Sequence, residues 1–268
     1  MRTGLRHRVG AAVVVALLVS SSALAQTGKP AEESFQPALG QAGKDVVWVP
    51  TAQALVDKML DMAKVTPLDV VIDLGSGDGI TVISAAKRGA QALGIEYNPE
   101  MVALSRKNAT AAGVADKATF IKADLFESDF SKATVITMFL LPSINMKLRP
   151  TILGLKPGTR VVSNTFDMED WAPDDTAQVT GECSSWCNAL LWIVPAKVEG
   201  TWKTPQGELV LHQHFQTHTG TLGGRPIGPG TVRGEQVMFT VGTTTYIGRF
   251  DGTSITGMAG SDSWTATR

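Results

Sequence analysis

The stretch VVIDLGSGDGI, residues 70–80, decides the fold. Its apolar start reads as a short buried strand. The run Gly75-Ser76-Gly77-Asp78-Gly79 then breaks the strand, and a helical pattern opens at Ile80. A strand that ends in a glycine turn and opens a helix is a nucleotide-binding geometry, because glycines let the backbone approach a ligand closely. The turn alone does not choose the ligand, since dinucleotide oxidoreductases share its form.

Outward from this turn, strands and helices alternate. Upstream, Leu55, Met59 and Met62 recur at helical spacing, with Thr51 as the expected N-cap and an end near Thr66-Pro67. Downstream, the pattern predicts helices over 80–88, 99–112 and 144–155. Strands are expected over 92–96, 118–122, 134–141 and 160–165. Short apolar strands alternating with helices argue for a parallel sheet covered on both faces. Residues 177–180 and 189–194 are expected to pair antiparallel at the sheet edge.

Acidic residues close consecutive strands. Asp73 ends the first, and Glu96 ends the second in LGIEYN, 17 residues after Gly79. A carboxylate there can accept both hydroxyls of a ribose. Asp124 follows the third strand in IKADLF, beside Leu125, where it can accept from an adenine amino group. The three acids form one surface at the carboxyl edge of the sheet, where open α/β folds bind ligands. The third acid separates this pattern from most dinucleotide sites.

These motifs carry a resemblance. VVWVPT, DLGSGDG, GIEYNPE, ADLF, MFLLPSINMKLRP and LKPGTRVVSNTF resemble class I S-adenosylmethionine (SAM) dependent methyltransferases. More narrowly, they resemble the small mitochondrial-type lysine methyltransferases that act on the ATP synthase c-subunit and the adenine nucleotide translocase, and their bacterial relatives. The resemblance implies a seven-stranded Rossmann-like α/β sheet and SAM as cofactor. It places Asp73, Gly75, Ser76, Gly77, Asp78, Gly79, Glu96, Asp124 and Leu125 around that cofactor. Thr137, Met138, Phe139, Leu140, Leu141 and Pro142, after the fourth strand, would line the acceptor. The segment is apolar, lacks the Asn/Asp-Pro-Pro-Tyr/Phe motif of base amino methylation, and offers no catalytic base. The acceptor is left open between a protein lysine and a small molecule.

The remainder of the chain is of a different kind. From about Pro195 it is all turns and alternating strands, as in Val237, Phe239 and Val241 before Gly242. This predicts a small antiparallel sheet or barrel over 196–268. His212, His214 and His218 share parity, so they fall on one face of an unbroken strand, where they could hold a metal. The plainer reading is a solvated sheet face, and no metal is expected.

At the other end, Arg2, Arg6 and Arg8, the apolar run 11–19 and Ala23-Leu24-Ala25 read as a secretory signal over 1–25. A loosely ordered polar leader over 26–44 is expected to follow, and the methyltransferase domain spans 45–195. The apolar run is shorter than the roughly 20 residues a bilayer span needs. A periplasmic or secreted protein without a stable membrane span is therefore expected. Loss of those three arginines leaves 21 basic against 25 acidic residues, from 24 against 25 in the whole chain. A net charge of −4 without basic clusters is a poor match to duplex nucleic acid. The only two cysteines, Cys183 and Cys187, are open to a disulfide in an oxidising compartment. Two alone do not make a zinc site. A second functional class is an exported binding protein that has lost catalysis and recognises an envelope ligand through its β domain.

Overall fold

A computed structural model describes residues 1–4, 10 and 35–268, so most of the signal and the first part of the leader lie outside the described residues. Met1–Ser34 and Phe35–Arg268 are separate units, and every helix and strand named below belongs to the second. Among the described residues no helix is long and apolar enough to cross a membrane.

The first half is the expected alternation. It runs α1 (Gln53–Met62), β1 (Val70–Leu74), α2 (Ile80–Lys87), β2 (Gln91–Glu96), α3 (Pro99–Ala111), β3 (Ala118–Lys122), β4 (Val135–Met138), α4 (Pro142–Ile152) and β5 (Arg160–Asn164), and ends in β6 (Asp175–Gln178) and β7 (Asn188–Ile193). The sheet order is β3-β2-β1-β4-β5-β7-β6, parallel except for β7, which pairs antiparallel with both neighbours. Helices cover both faces because β1, β4 and β5 are apolar on both, and two buried clusters result. One holds Leu55, Val71, Val82 and Phe120; the other holds Ile72, Ile136, Leu148, Trp171 and Trp192.

Four local expectations need correction. Ala52, not Thr51, caps α1, and no side chain bonds there; the Thr51 hydroxyl instead meets Asn164 Nδ2 at 3.4 Å. The helix ends at Met62, short of Thr66. Strand β4 stops at Met138, three residues early, because Pro142 opens α4 at its first turn. That releases Phe139, Leu140 and Leu141 as a loop. The end of the leader is ordered: residues 40–48 form a tight hairpin, with Gly40 N to Trp48 O at 3.0 Å and Trp48 N to Gln41 O at 2.8 Å.

The second half is a barrel. Its strands are β8 (Gly200–Thr204), β9 (Gly207–His214), β10 (Thr217–Leu222), β11 (Arg225–Pro226), β12 (Gly230–Arg233), β13 (Gln236–Val241), β14 (Thr244–Phe250), β15 (Ser254–Ala259) and β16 (Asp262–Thr267). Apart from the two-residue β11, each strand pairs with the next along the chain. The β16–β8 and β9–β10 pairings close the ring. Val237, Phe239 and Val241 all point inward, as their alternation predicts, and join Trp202, Trp264 and Ile255 in a separate core.

Candidate active site

The glycine turn is held by the strand beside it. Gly75 N and Ser76 N both donate to Ile95 O, at 2.9 and 3.1 Å. Gly77 N donates to Glu96 Oε2 at 3.0 Å, and Asn98 N donates to Glu96 Oε1 at 2.8 Å. From α3, buried Ser105 donates to Gly77 O at 2.8 Å and Asn108 Nδ2 to Asp78 O at 3.0 Å. Gly79 caps α2 in the left-handed region at φ 86°, and a Cβ there would stand 2.8 Å from the Phe120 ring. Only glycine meets both constraints.

Asp73, Asp78, Glu96 and Asp124 line one cavity. Asp73 is 6% exposed and accepts from Thr137 Oγ1 at 2.7 Å. Burial pushes its pKa up to about 7 against that hydrogen bond, and the Glu96 and Asp78 carboxylates push the same way. Burial also raises Asp78. Asp124 is different: its carboxylate is paired with the Lys44 ammonium, which holds it below the usual range. Lys44 lies 5.4 Å from the Tyr97 ring centre and 5.7 Å from that of Phe126.

The leader hairpin covers the turn. The Trp48 indole lies over Gly77, where a Cβ would meet Nε1 at 2.8 Å. Met138, Phe139, Leu140, Leu141 and Ile144 also line the cavity, together with Phe166 and Trp186. Phe139 stacks on Phe166 with ring centres 5.9 Å apart, and Trp186 tilts against it at 6.1 Å. Trp186 sits in a loop closed by the Cys183–Cys187 disulfide, which resolves the state the sequence left open.

The structure thus brings most of the sequence-derived residues to one cavity: Asp73, Gly75, Ser76, Gly77, Asp78, Glu96, Asp124, Leu125, Met138, Phe139, Leu140 and Leu141. Three do not line it. Gly79 works as the helix cap, Thr137 lies buried beneath Asp73 as its donor, and Pro142 starts α4. Ser76 lines it, but its hydroxyl is turned toward Gly94 and has no partner, so its contribution is backbone. The histidine face does not exist. His212 and His214 are exposed, His218 is inside the barrel at 2% exposure, and no metal-holding group occurs among the described residues. Sequence reading missed Lys44, Trp48, Ser105, Asn108, Phe166 and Trp186. For Ser105 and Asn108 a signal existed, since i, i+3 spacing puts both on one helix face.

These residues fit SAM. Burial first, and then the Glu96 and Asp78 carboxylates, raise the Asp73 pKa, and such a group of acids on one cavity matches a ligand bearing an ammonium and a sulfonium. Glu96 has lone pairs left for ribose hydroxyls after its two backbone bonds, and Asp124 already receives a cation from its own chain. When bound, SAM supplies a methyl group on a positively charged sulfur, open to in-line attack. The protein's part is to hold the cofactor's polar end on the acids and to keep water from the reacting end with apolar side chains.

Known proteins agree with this geometry. The ANTKMT methyltransferase domain family matches residues 73–175, which leaves the barrel outside. A protein-lysine N-methyltransferase of Saccharolobus islandicus is 44% identical over 137 residues, 50% of this chain and 85% of that one. The mouse lysine N-methyltransferase of the ATP synthase c-subunit is 40% identical over 113 residues, 42% of this chain and 44% of its own length, so less than half of the mouse protein is spanned. In crystal form, an RNA methyltransferase from Salinibacter ruber in complex with S-adenosylhomocysteine is 49% identical, with a TM-score of 0.52. That match covers 56% of this chain and 96% of the other. The acids at three strand ends and a match along nearly the whole of an archaeal relative lead to one conclusion: the chain belongs to the ANTKMT-type family of class I SAM-dependent methyltransferases.

Proposed function

We propose that this methyltransferase acts on the ε-amine of a protein lysine. The observation that carries the reading is the apolar, aromatic wall of Met138, Phe139, Leu140, Ile144, Phe166 and Trp186 at the reacting end. A slender alkyl chain suits such a wall, whose apolar side chains also exclude water from the reacting end. The names of the archaeal and mouse relatives support it. RNA, named for the Salinibacter protein, is the less favoured acceptor, because this chain is net acidic and RNA affinity draws on phosphate neutralisation. Nothing in the family match supports the non-catalytic reading. A periplasmic or secreted location fits both the signal-like start and the Cys183–Cys187 disulfide, since such bonds persist in oxidising compartments.

The test incubates the purified protein with methyl-labelled SAM and separated protein, RNA and small-molecule fractions of its host. Methyllysine after acid hydrolysis of the protein fraction is the expected product. Label confined to RNA or to small molecules overturns the lysine assignment.

A further inference from the structure

We propose that Phe139, Phe166 and Trp186 form an aromatic collar that receives a cationic alkylammonium group, with Trp186 held in place by the Cys183–Cys187 disulfide. The proposal rests on the amine-acceptor reading and names the chemistry of its entrance.

The three rings come from three separate loops: after β4, after β5 and between β6 and β7. They nevertheless meet on one cavity wall, with centres 5.9 Å apart for Phe139–Phe166 and 6.1 Å for Phe139–Trp186. Ring faces attract cations through their quadrupole, tryptophan most strongly. Among the described residues, the chain's own cations stack elsewhere: Lys44 and Lys147 against Phe126, Arg149 against Phe215 and Arg268 against Trp202.

Charge points the same way. No lysine or arginine occurs between Arg160 and Lys197, whereas Asp167, Glu169, Asp170, Asp174, Asp175 and Glu182 do. Asp167 and Glu169 follow Phe166 directly, and Glu182 lies in the loop of Trp186; all three are exposed. The segment that carries Phe166 and Trp186 thus brings exposed acids and no cation of its own.

Trp186 gives the third reason. It is 44% exposed and has φ 52°, a left-handed conformation uncommon for a bulky side chain. A large aromatic left half in solvent in such a conformation gains little for the fold. Closure of residues 183–187 by the disulfide limits where it can go.

The experiment loads the full chain with S-adenosylhomocysteine and titrates two probes by calorimetry. One is Nα-acetyl-Nε-trimethyllysine amide, and the other is its neutral carbon isostere. The cation is expected to bind about 5- to 30-fold tighter. Trp186→Ala should reduce the cation to the level of the isostere, Trp186→Phe should keep part of the preference, and the Cys183→Ser/Cys187→Ser pair should weaken it as Trp186→Ala does. The S-adenosylhomocysteine titration of each variant reports that the fold is intact. Equal binding of the two probes by the parent, or an undiminished preference in folded Trp186→Ala, overturns the collar. An undiminished preference in the double serine variant overturns the brace. A collar that binds the cation without methyllysine formation in the labelling assay defeats the acceptor assignment alone, and the reverse pattern defeats the collar alone.

Discussion

The Glu96 carboxylate holds two backbone amides of its own chain. The sequence suggests a strand-end acid free to serve a ribose and without structural partners, so that its loss would spare stability. The structure corrects this, because Gly77 N and Asn98 N both bond to it. Glu96→Ala is therefore expected to cost SAM affinity on the order of 10- to 1,000-fold. It should also cost the apo protein roughly 1–3 kcal/mol, the usual penalty for backbone donors left without an acceptor. Calorimetry and apo melting measure the two effects separately, and unchanged melting would remove the structural role. Asp73 makes a second prediction. Its pKa of about 7 means that it is largely protonated at mildly acidic pH. A cationic ligand favours the carboxylate, so SAM affinity should rise with pH up to about 7 and then level off, with proton release below that. Asp73→Asn should abolish the slope. For the apo fold the sign reverses: the native state binds more protons than the unfolded chain between pH 3.8 and about 7, so this group lowers stability as pH rises through that window.

At the scale of elements, the β9–β10 hairpin decides what the histidines do. His214 pairs with Thr217 across a two-residue turn, and His212 pairs with Thr219. Paired residues share a face, so positional parity flips between the two strands and His218 turns inward. Its ring lies edge-on to Phe239 at 5.9 Å and against Gly230, where a Cβ would stand 2.1 Å from Cε1. Neither ring nitrogen completes a hydrogen bond. Burial holds the pKa below 6.5, with the Thr231 and Met238 backbones pulling weakly the other way. A lowered histidine pKa means that the unfolded chain binds more protons, so the barrel should lose stability as pH falls below about 6.5. Melting of the parent and of His218→Phe across pH 5–8 checks this; a variant with the same acid sensitivity would place its origin elsewhere.

Across the whole molecule, the sheet domain and the barrel keep separate apolar cores but share a seam. Phe215, at the β9–β10 turn, stacks on Trp171 at 5.8 Å and lies under Arg149 at 5.2 Å. Gln216 Nε2 donates to Ala172 O at 2.7 Å, and Gly234 lies against Gly158, whose Cα would stand 3.1 Å from a Cβ on Gly234. A ring that closes on itself leaves no main sheet edge needing the other domain. The fragment 196–268 is therefore expected to fold alone, with an antiparallel β signature in circular dichroism; substantial helix would count against it. In the full chain, Phe215→Ala should cost roughly 1–3 kcal/mol, less than a fully buried phenylalanine because the site is only partly covered. Thermal unfolding gives the number.

Local rules made much of this protein legible from its sequence. The strand-turn-helix of residues 70–80, the acids at Asp73, Glu96 and Asp124, and the inward alternation of Val237, Phe239 and Val241 follow from backbone preferences and hydrophobic period. Those act within a few residues. What only the tertiary structure decided is set by separation along the chain. Lys44 reaches Asp124 from 80 residues away, and Trp48 settles on Gly77 with no periodic signal to announce it. Phe166 and Trp186 join Phe139 only because β5 and the β6–β7 pair end at the same sheet edge. The barrel closes because β8 meets β16, the last strand in the chain. Such contacts depend on register and on the paths of whole elements, which no short window of sequence encodes.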